Sequence, residues 1–524
     1  MNKDKNVTKK MNPEEISTEF LALCPLDGRY ARIGRELSPY FSEYALMKNR
    51  VKVEVYWLQF LLENIGEVEE LENFDKSNLP KIISIYEDFS ADSIKRIKEI
   101  EKETNHDVKA VEFFVDEKLK ELGFESLISF VHLGCTSEDI NNTSYANMIK
   151  EGLTKVWIPA AQELIEKISA MTLEYSNISM LGHTHGQPAT PTTVGKELKV
   201  YEYRLKESLE KIKEIDVLAK FNGATGNYSA ITVAFPKEDW RELSKNFVEY
   251  YLDLTFNPVS TQIESHDYIA HILDGIRHFN NVLLDMDIDM WLYISSEYFK
   301  QIAVKGEVGS STMPHKVNPI RFENSESNID MSNAVLMALS NKLTRSRMQR
   351  DLSDSSSLRN IGMGIGYSLQ AIKQTIGGLG KVAVNKEKLS EDLDKNWEVL
   401  AEPIQTILRK YGIADAYNQL KELTRGKRIS QKEIQEFVKT LDVLSEEDRK
   451  TLLELTPSSY VGLAGEIART EIWFLVCKSL CWKKSCFLLE SSSFPLFWNK
   501  NKKHIFYPII YIELRYMFFI DFIY

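Results

Sequence analysis

Residues 265–300 read SHDYIAHILDGIRHFNNVLLDMDIDMWLYISSEYFK, a run with one glycine, Gly275, and no proline. Its apolar residues recur at helical spacing, so the stretch predicts a single helix of roughly 50 Å at about 1.5 Å per residue. A helix of that length needs other long helices to cover its apolar side. Working outward, Phe41, Tyr44, Met47, Val51, Val55, Leu58 and Leu62 follow Leu37 at three- and four-residue steps, and similar patterns run over 156–172, 194–218 and 332–343. Few segments alternate with period two. The fold class expected is mainly α, with a central bundle of long helices. Polar loops interrupt the pattern at 24–29, 134–139, 182–191, 222–228, 306–319 and 351–359. Boundaries are expected near residue 125, where ELGFES breaks the periodicity, and near residue 378, beside IGGLG. They give an N-terminal helical domain (1–125), a central bundle (126–378), a C-terminal helical domain (379–471) and an atypical tail (472–524).

The chain has 524 residues, 65 basic against 76 acidic, for a formal net charge of −11. This balance offers no general attraction to nucleic acid or an anionic membrane, although a local pocket can still oppose the global sign. Five cysteines are too few for a disulfide scaffold, and the first residues contain no apolar signal segment, so a reducing, cytoplasmic setting is expected. The tail stands apart. Residues 472–524 hold 15 of the 56 aromatic residues and carry seven Lys or Arg against three Asp or Glu, leaving the first 471 residues at −15. A membrane span at 505–524 is disfavoured by Pro508, Glu513, Arg515 and Asp521, and Cys477, Cys481 and Cys486 match a zinc site poorly. The tail reads as a stretch that is not a selected part of a folded domain.

Two loops concentrate chemistry. Leu181-Gly-His-Thr-His-Gly-Gln-Pro188 sets His183 and His185 on a turn bounded by Gly and Pro, where imidazole can move protons near neutral pH. A metal pair is the competing reading, but the chain offers no good set of further ligands. Gly306-Glu-Val-Gly-Ser-Ser-Thr-Met-Pro-His-Lys-Val-Asn-Pro319 brackets Ser310, Ser311, His315, Lys316 and Asn318 with glycines and prolines, and matches neither a P-loop nor a hydrolase nucleophile turn. Asp27-Gly-Arg-Tyr, Asn105-His-Asp, Thr136-Ser-Glu-Asp and Gln349–Arg359 are individually ordinary caps or turns. Together they add Arg29, Arg350 and Arg359 for bidentate recognition of carboxylate or phosphate.

The stretch Ser310-Ser-Thr-Met-Pro-His-Lys-Val-Asn-Pro319 resembles the signature loop of the fumarase/aspartase superfamily. NHDVKAVE, CTSEDINN, THGQPATP, HDYIA, QRDLSDSSSLRNIG, NWEVLAEPIQT and ELTRGKR resemble its adenylosuccinate lyase branch, in order over about residues 20–465. The resemblance implies a three-domain fold whose central helices assemble into a tetrameric core, with sites shared between chains and 187–192 and 265–300 contributing. It implies a cofactor-independent, metal-free anti β-elimination that releases fumarate from adenylosuccinate, giving AMP, and from the succinylated aminoimidazole carboxamide ribotide of purine synthesis. Ser310 corresponds to the general base and His185 to the general acid. Lys316 and Asn318 correspond to stabilisers of negative charge, and His106 to a histidine that contacts substrate and sets the environment of the acid. Arg29, Tyr30, Asn105, Asp107, Thr136, Ser137, Gln262, Arg350, Ser355 and Arg359 correspond to positions that hold phosphate, succinyl group or base. Arg321 and Ser327 depart from the family's pattern, where an acidic residue and a glycine are expected. The alternatives are a sister lyase acting on argininosuccinate, malate or aspartate, and a catalytically silent structural relative.

Overall fold

The computed structural model describes residues 17–304, 306, 312–424 and 429–471. Contacts divide the chain after Thr470. The first unit is the helical body described below, and the tail 472–524 lies outside the described residues.

Five helices form the bundle: α1 (Ile158–Glu174), α2 (Val194–Lys213), α3 (Asp267–Ser295), α4 (Ile320–Leu343) and α5 (Ile361–Leu379). The decisive run is therefore helical for 29 residues, about 43 Å. It begins after His266, whose φ of +63° turns the backbone sharply, and it ends before Phe299–Gln301 pairs with Val382–Val384 as a short antiparallel sheet. Helices α3 and α4 run antiparallel, since Ser340 Oγ donates to Asp274 at 2.9 Å at one end and Trp291 Nε1 to Glu323 at 3.2 Å at the other. Helix α5 returns parallel to α3. The bundle centre holds a polar layer in which Trp157 Nε1 donates to Ser368 Oγ, Ser368 to Asn280 Oδ1, and Asn280 Nδ2 to Ser332 Oγ, at 2.7–3.0 Å. Gly364 lets α5 approach α4 closely, because a Cβ there would lie 2.7 Å from Leu336 Cδ2.

Differences from the sequence expectations have local causes. The Leu37–Leu62 pattern is two helices, Ala31–Phe41 and Glu43–Asn64, because Ser42 takes an extended conformation and caps the second one by accepting from the Ala45 N–H. Helix α4 begins twelve residues before the apolar pattern at 332, since its buried side there includes Ser325 and Asn328. The 182–191 segment belongs to an antiparallel hairpin, β1 (Ser179–Thr184) and β2 (Gln187–Thr193). Pro188 and Pro191 mask it in the sequence, because proline argues against a central strand, yet both are tolerated in a two-stranded sheet.

One apolar cluster runs from Leu37 to Leu389 and a second from Trp397 to Leu452. No helix of the described residues is long and apolar enough to cross a membrane.

Asp287 is buried in the bundle and accepts from Thr375 Oγ1 at 2.9 Å. Burial pushes its carboxyl from an ordinary 3.8 up to about 8, against the hydrogen bonds of Ser325 and Thr375. From about pH 4 to about pH 8 the folded chain thus keeps a proton that the unfolded chain releases, and stability falls as pH rises through that window, by up to about 1.4 kcal/mol per pH unit. Asp287→Asn is expected to remove this slope. Its melting temperature should exceed that of the unsubstituted chain by more at pH 8 than at pH 5; an equal difference at both pH values contradicts the assignment.

Candidate active site

The helix Ala91–Thr104 ends at Asn105, which adopts φ +50°, a left-handed conformation that asparagine tolerates. His106 then caps the helix Asp107–Glu121, its Nδ1 accepting from the Lys109 N–H at 3.1 Å, so Nε2 carries the ring proton in the neutral form. Asp107 Oδ2 receives Arg50 at 2.8 Å and Arg359 at 3.2 Å. Burial raises the Asp107 carboxyl, but the two guanidinium groups and the Val108 N–H outweigh it and hold the group below the ordinary range.

From Asp107 the hydrogen bonds continue inward. Arg50 is buried on the Glu43–Asn64 helix and donates from Nε to Asn141 Oδ1 at 2.9 Å. Asn141 donates to Glu138 at 2.7 Å, Arg350 contacts the same Glu138 oxygen at 2.8 Å, and Arg350 donates to Ser355 Oγ at 3.2 Å. Arg359 also pairs with Glu43. Three arginines and three carboxylates thus form one connected network, and Arg350 Nε remains buried without a hydrogen-bond partner. Beside it, Thr136 and Asp139 cap the Ser137–Gly152 helix reciprocally, placing Ser137 at its first position. Gln262 Nε2 reaches Thr136 Oγ1 at 3.4 Å. Buried His266 lies 3.7 Å from Asp354 and 3.7 Å from Glu264. Burial raises the Asp354 carboxyl, and the neighbouring His266 together with Arg350 brings it below its ordinary value.

Of the residues expected from sequence, the structure joins Asp107 with Arg359, Arg350 with Ser355 and Thr136 with Gln262 directly, and links the first two pairs through Arg50, Asn141 and Glu138. Asn105, His106 and Ser137 adjoin them on the same helix starts. The others lie elsewhere. Residues 185 and 186 form the two-residue turn of the hairpin, with φ +53° at His185 and +71° at Gly186, the signs of a type I′ turn. His185 is exposed at this tip, and the His183 ring sits 6.1 Å from that of Tyr298, just beyond the end of α3. Lys316 is exposed and Asn318 half-buried, immediately before α4. Tyr30 Oη accepts from Asn324 Nδ2 at 3.1 Å in the first turns of α4, with Arg29 exposed beside it. Ser310 lies outside the described residues. The network therefore stands at the His266 end of α3, and His185 with the signature-loop lysine at the other end, about 40 Å away along the helix.

Arg50, Glu138, Asn141 and Glu43 were missed by sequence reasoning. Glu138 and Asn141 sit within the quoted CTSEDINN stretch, whereas the only signal for Arg50 is a cation inside an apolar helical run. Among the described residues no group of three or more His, Cys, Asp or Glu side chains could hold a metal ion.

Comparison with known proteins bears on this arrangement. A family model described as Lyase matches residues 28–333, and one described as Adenylosuccinate lyase C-terminal matches 346–461. Adenylosuccinate lyase of Escherichia coli is 48% identical over 451 residues, 86% of this chain and 98% of that enzyme. The adenylosuccinate lyase of Buchnera aphidicola is 44% identical over 451 residues, with the same coverage of the two chains. Among solved structures, a fumarate lyase from Mesorhizobium superposes with a TM-score of 0.67 at 16% identity, covering 83% of this chain and 96% of its own. A 3-carboxy-cis,cis-muconate lactonizing enzyme from Pseudomonas putida gives 0.64 at 17% identity, covering 82% and 94%, and both support the fold alone. Near-full-length identity to these relatives, carried through both the helical body and the C-terminal segment, places the chain in the adenylosuccinate lyase family of carbon–nitrogen lyases.

Proposed function

We propose that the protein eliminates fumarate from adenylosuccinate, giving AMP, and from the succinylated aminoimidazole carboxamide ribotide, in an anti β-elimination without metal or cofactor. Ser310, as an alkoxide, takes the Cβ proton. The electron pair of that bond forms the new carbon–carbon double bond, the C–N bond breaks towards nitrogen, and His185 protonates the leaving nitrogen. Charge accumulates on the substrate carboxylate beside the deprotonated carbon, where Lys316, Asn318 and loop N–H groups stabilise it. Arg29, Tyr30, Arg350, Ser355 and Arg359 hold phosphate and succinyl groups. Asn105, His106, Asp107, Thr136, Ser137 and Gln262 fix the base and the orientation.

The observation that carries the site assignment is the separation along α3. A substrate of nucleotide size cannot touch His185 and Arg359 of one chain at once, so the complete site takes these groups from different copies. A homotetramer packed through the bundle supplies them. Exposed apolar residues at helical spacing support such packing: Val200 and Tyr203 on α2, and Ile288, Trp291 and Leu292 on α3. We also assign residues 1–125, 126–378 and 379–471 to three domains, with the separate apolar cluster from Trp397 supporting the last, and the cytoplasm as compartment.

Purified protein should convert adenylosuccinate to AMP and fumarate, followed by the ultraviolet change. Turnover of argininosuccinate or malate without adenylosuccinate would move the protein to a sister activity. A folded tetramer inert to all of them would make it a structural relative.

A further inference from the structure

We propose that Glu402 is a positioning residue for the general acid, bonding the hairpin that carries His185 to the C-terminal helices. This rests on the assignment of His185 as that acid. A two-stranded hairpin is marginal in water by itself, and the β1–β2 tip carries exposed residues from His183 to Pro188, so little apolar burial fixes its direction. The C-terminal segment binds the base of the hairpin instead. Arg469 donates to Ser176 Oγ at 3.1 Å and to Asn177 Oδ1 at 2.8 Å, just before β1, and Ser179 Oγ donates to the Ser458 carbonyl at 2.6 Å.

On β2 the corresponding bond is that of Thr190, whose hydroxyl donates to Glu402. The Tyr460 hydroxyl lies near the same carboxylate, and burial, then the influence of Glu402, push the hydroxyl up to about 12. Glu402 stands in the first turn of Ala401–Lys410, a helix anchored by buried Ile404 and Leu408 in the second apolar cluster. It therefore ties an exposed strand to a packed core. Between Pro188–Thr190 and Glu398, Tyr417 and Lys421 lies a cleft of about 650 Å³. Within the chain, side-chain packing does not fill that side of the hairpin tip, and the Glu402 bond spans the opening. Thr190 is five residues from His185, close enough for a strand tilt to move the imidazole by an ångström or more, a displacement that costs about 10²-fold when a reacting group is involved.

The test uses the full-length enzyme with adenylosuccinate. Thr190→Val, nearly isosteric, and Tyr460→Phe each remove one hydroxyl beside Glu402 and leave the helix and its charge intact. Each should lower kcat about tenfold with KM changed less than about twofold, while Glu402→Gln, which retains an accepting oxygen, should stay near the unsubstituted rate. In a His185→Asn background, Thr190→Val should cause no further loss, because its effect passes through the imidazole. Full kcat in Thr190→Val, or an undiminished tenfold loss in the His185→Asn background, would overturn the positioning role alone. No turnover by the unsubstituted chain would overturn the lyase assignment and the positioning role with it.

Discussion

His185→Asn and Ser310→Ala are each expected to lower turnover of adenylosuccinate by two or more orders of magnitude while the proposed tetramer is retained. General acid–base transfer contributes about 10²–10⁴-fold, the scale of loss expected when the proton donor or acceptor is removed. Asparagine is the informative substitution at residue 185. The backbone there has φ +53°, which asparagine accepts more readily than alanine, so the turn persists and only the acid is removed. The side chain is exposed, and its replacement creates no cavity in the fold. Rates within about threefold of the unsubstituted enzyme would refute the assigned roles.

Arg359→Ala is expected to reduce kcat/KM by about 10²-fold, chiefly through KM, with little loss of stability. A charge-assisted pair with phosphate or carboxylate is worth about 1.5–3 kcal/mol, and a bidentate guanidinium lies at the upper end of that range. The folded chain can absorb the loss because both carboxylates that Arg359 touches keep another cation: Glu43 receives Lys98 at 2.6 Å, and Asp107 receives Arg50 at 2.8 Å. Arg350 behaves differently. Among the described residues it is the one guanidinium paired with Glu138, which is 1% exposed, so its removal leaves a buried charge and confuses folding with binding. Arg359 is thus the cleaner probe of substrate recognition. An unchanged KM in Arg359→Ala would remove it from the binding site.

Much of this architecture was legible in residues whose chemistry is local. The 265–300 run carries its helix in plain periodicity, and Asn105-His-Asp declares a helix junction through residues that tolerate left-handed φ or cap. Helix α4 was read only from 332, because a bundle interior built on Ser325, Asn328 and Ser332 has no apolar stripe to detect. The hairpin was hidden by its own prolines. For the site, the motif residues were identified but their partition was not. Nothing in the spacing of His185 and Arg359 reveals that they stand at opposite ends of α3, since that depends on which helices run antiparallel. Arg50 was invisible for a related reason: a buried arginine in an apolar helix acquires meaning only when Asp107 and Asn141 are packed against it.

The shared site can be tested by mixing two impaired enzymes at adenylosuccinate well below KM, where both variants are about 10²-fold slow. His185→Asn and Arg359→Ala proteins, dissociated and reassociated in equal amounts, form hybrid tetramers in which a site drawing its hairpin from one chain and its arginine from another is intact about one time in four. Turnover of adenylosuccinate should therefore recover to about a quarter of the unsubstituted rate. Recovery no greater than the sum of the two variants measured separately, in tetramers shown by a tagged copy to be mixed, would contradict a site built across chains.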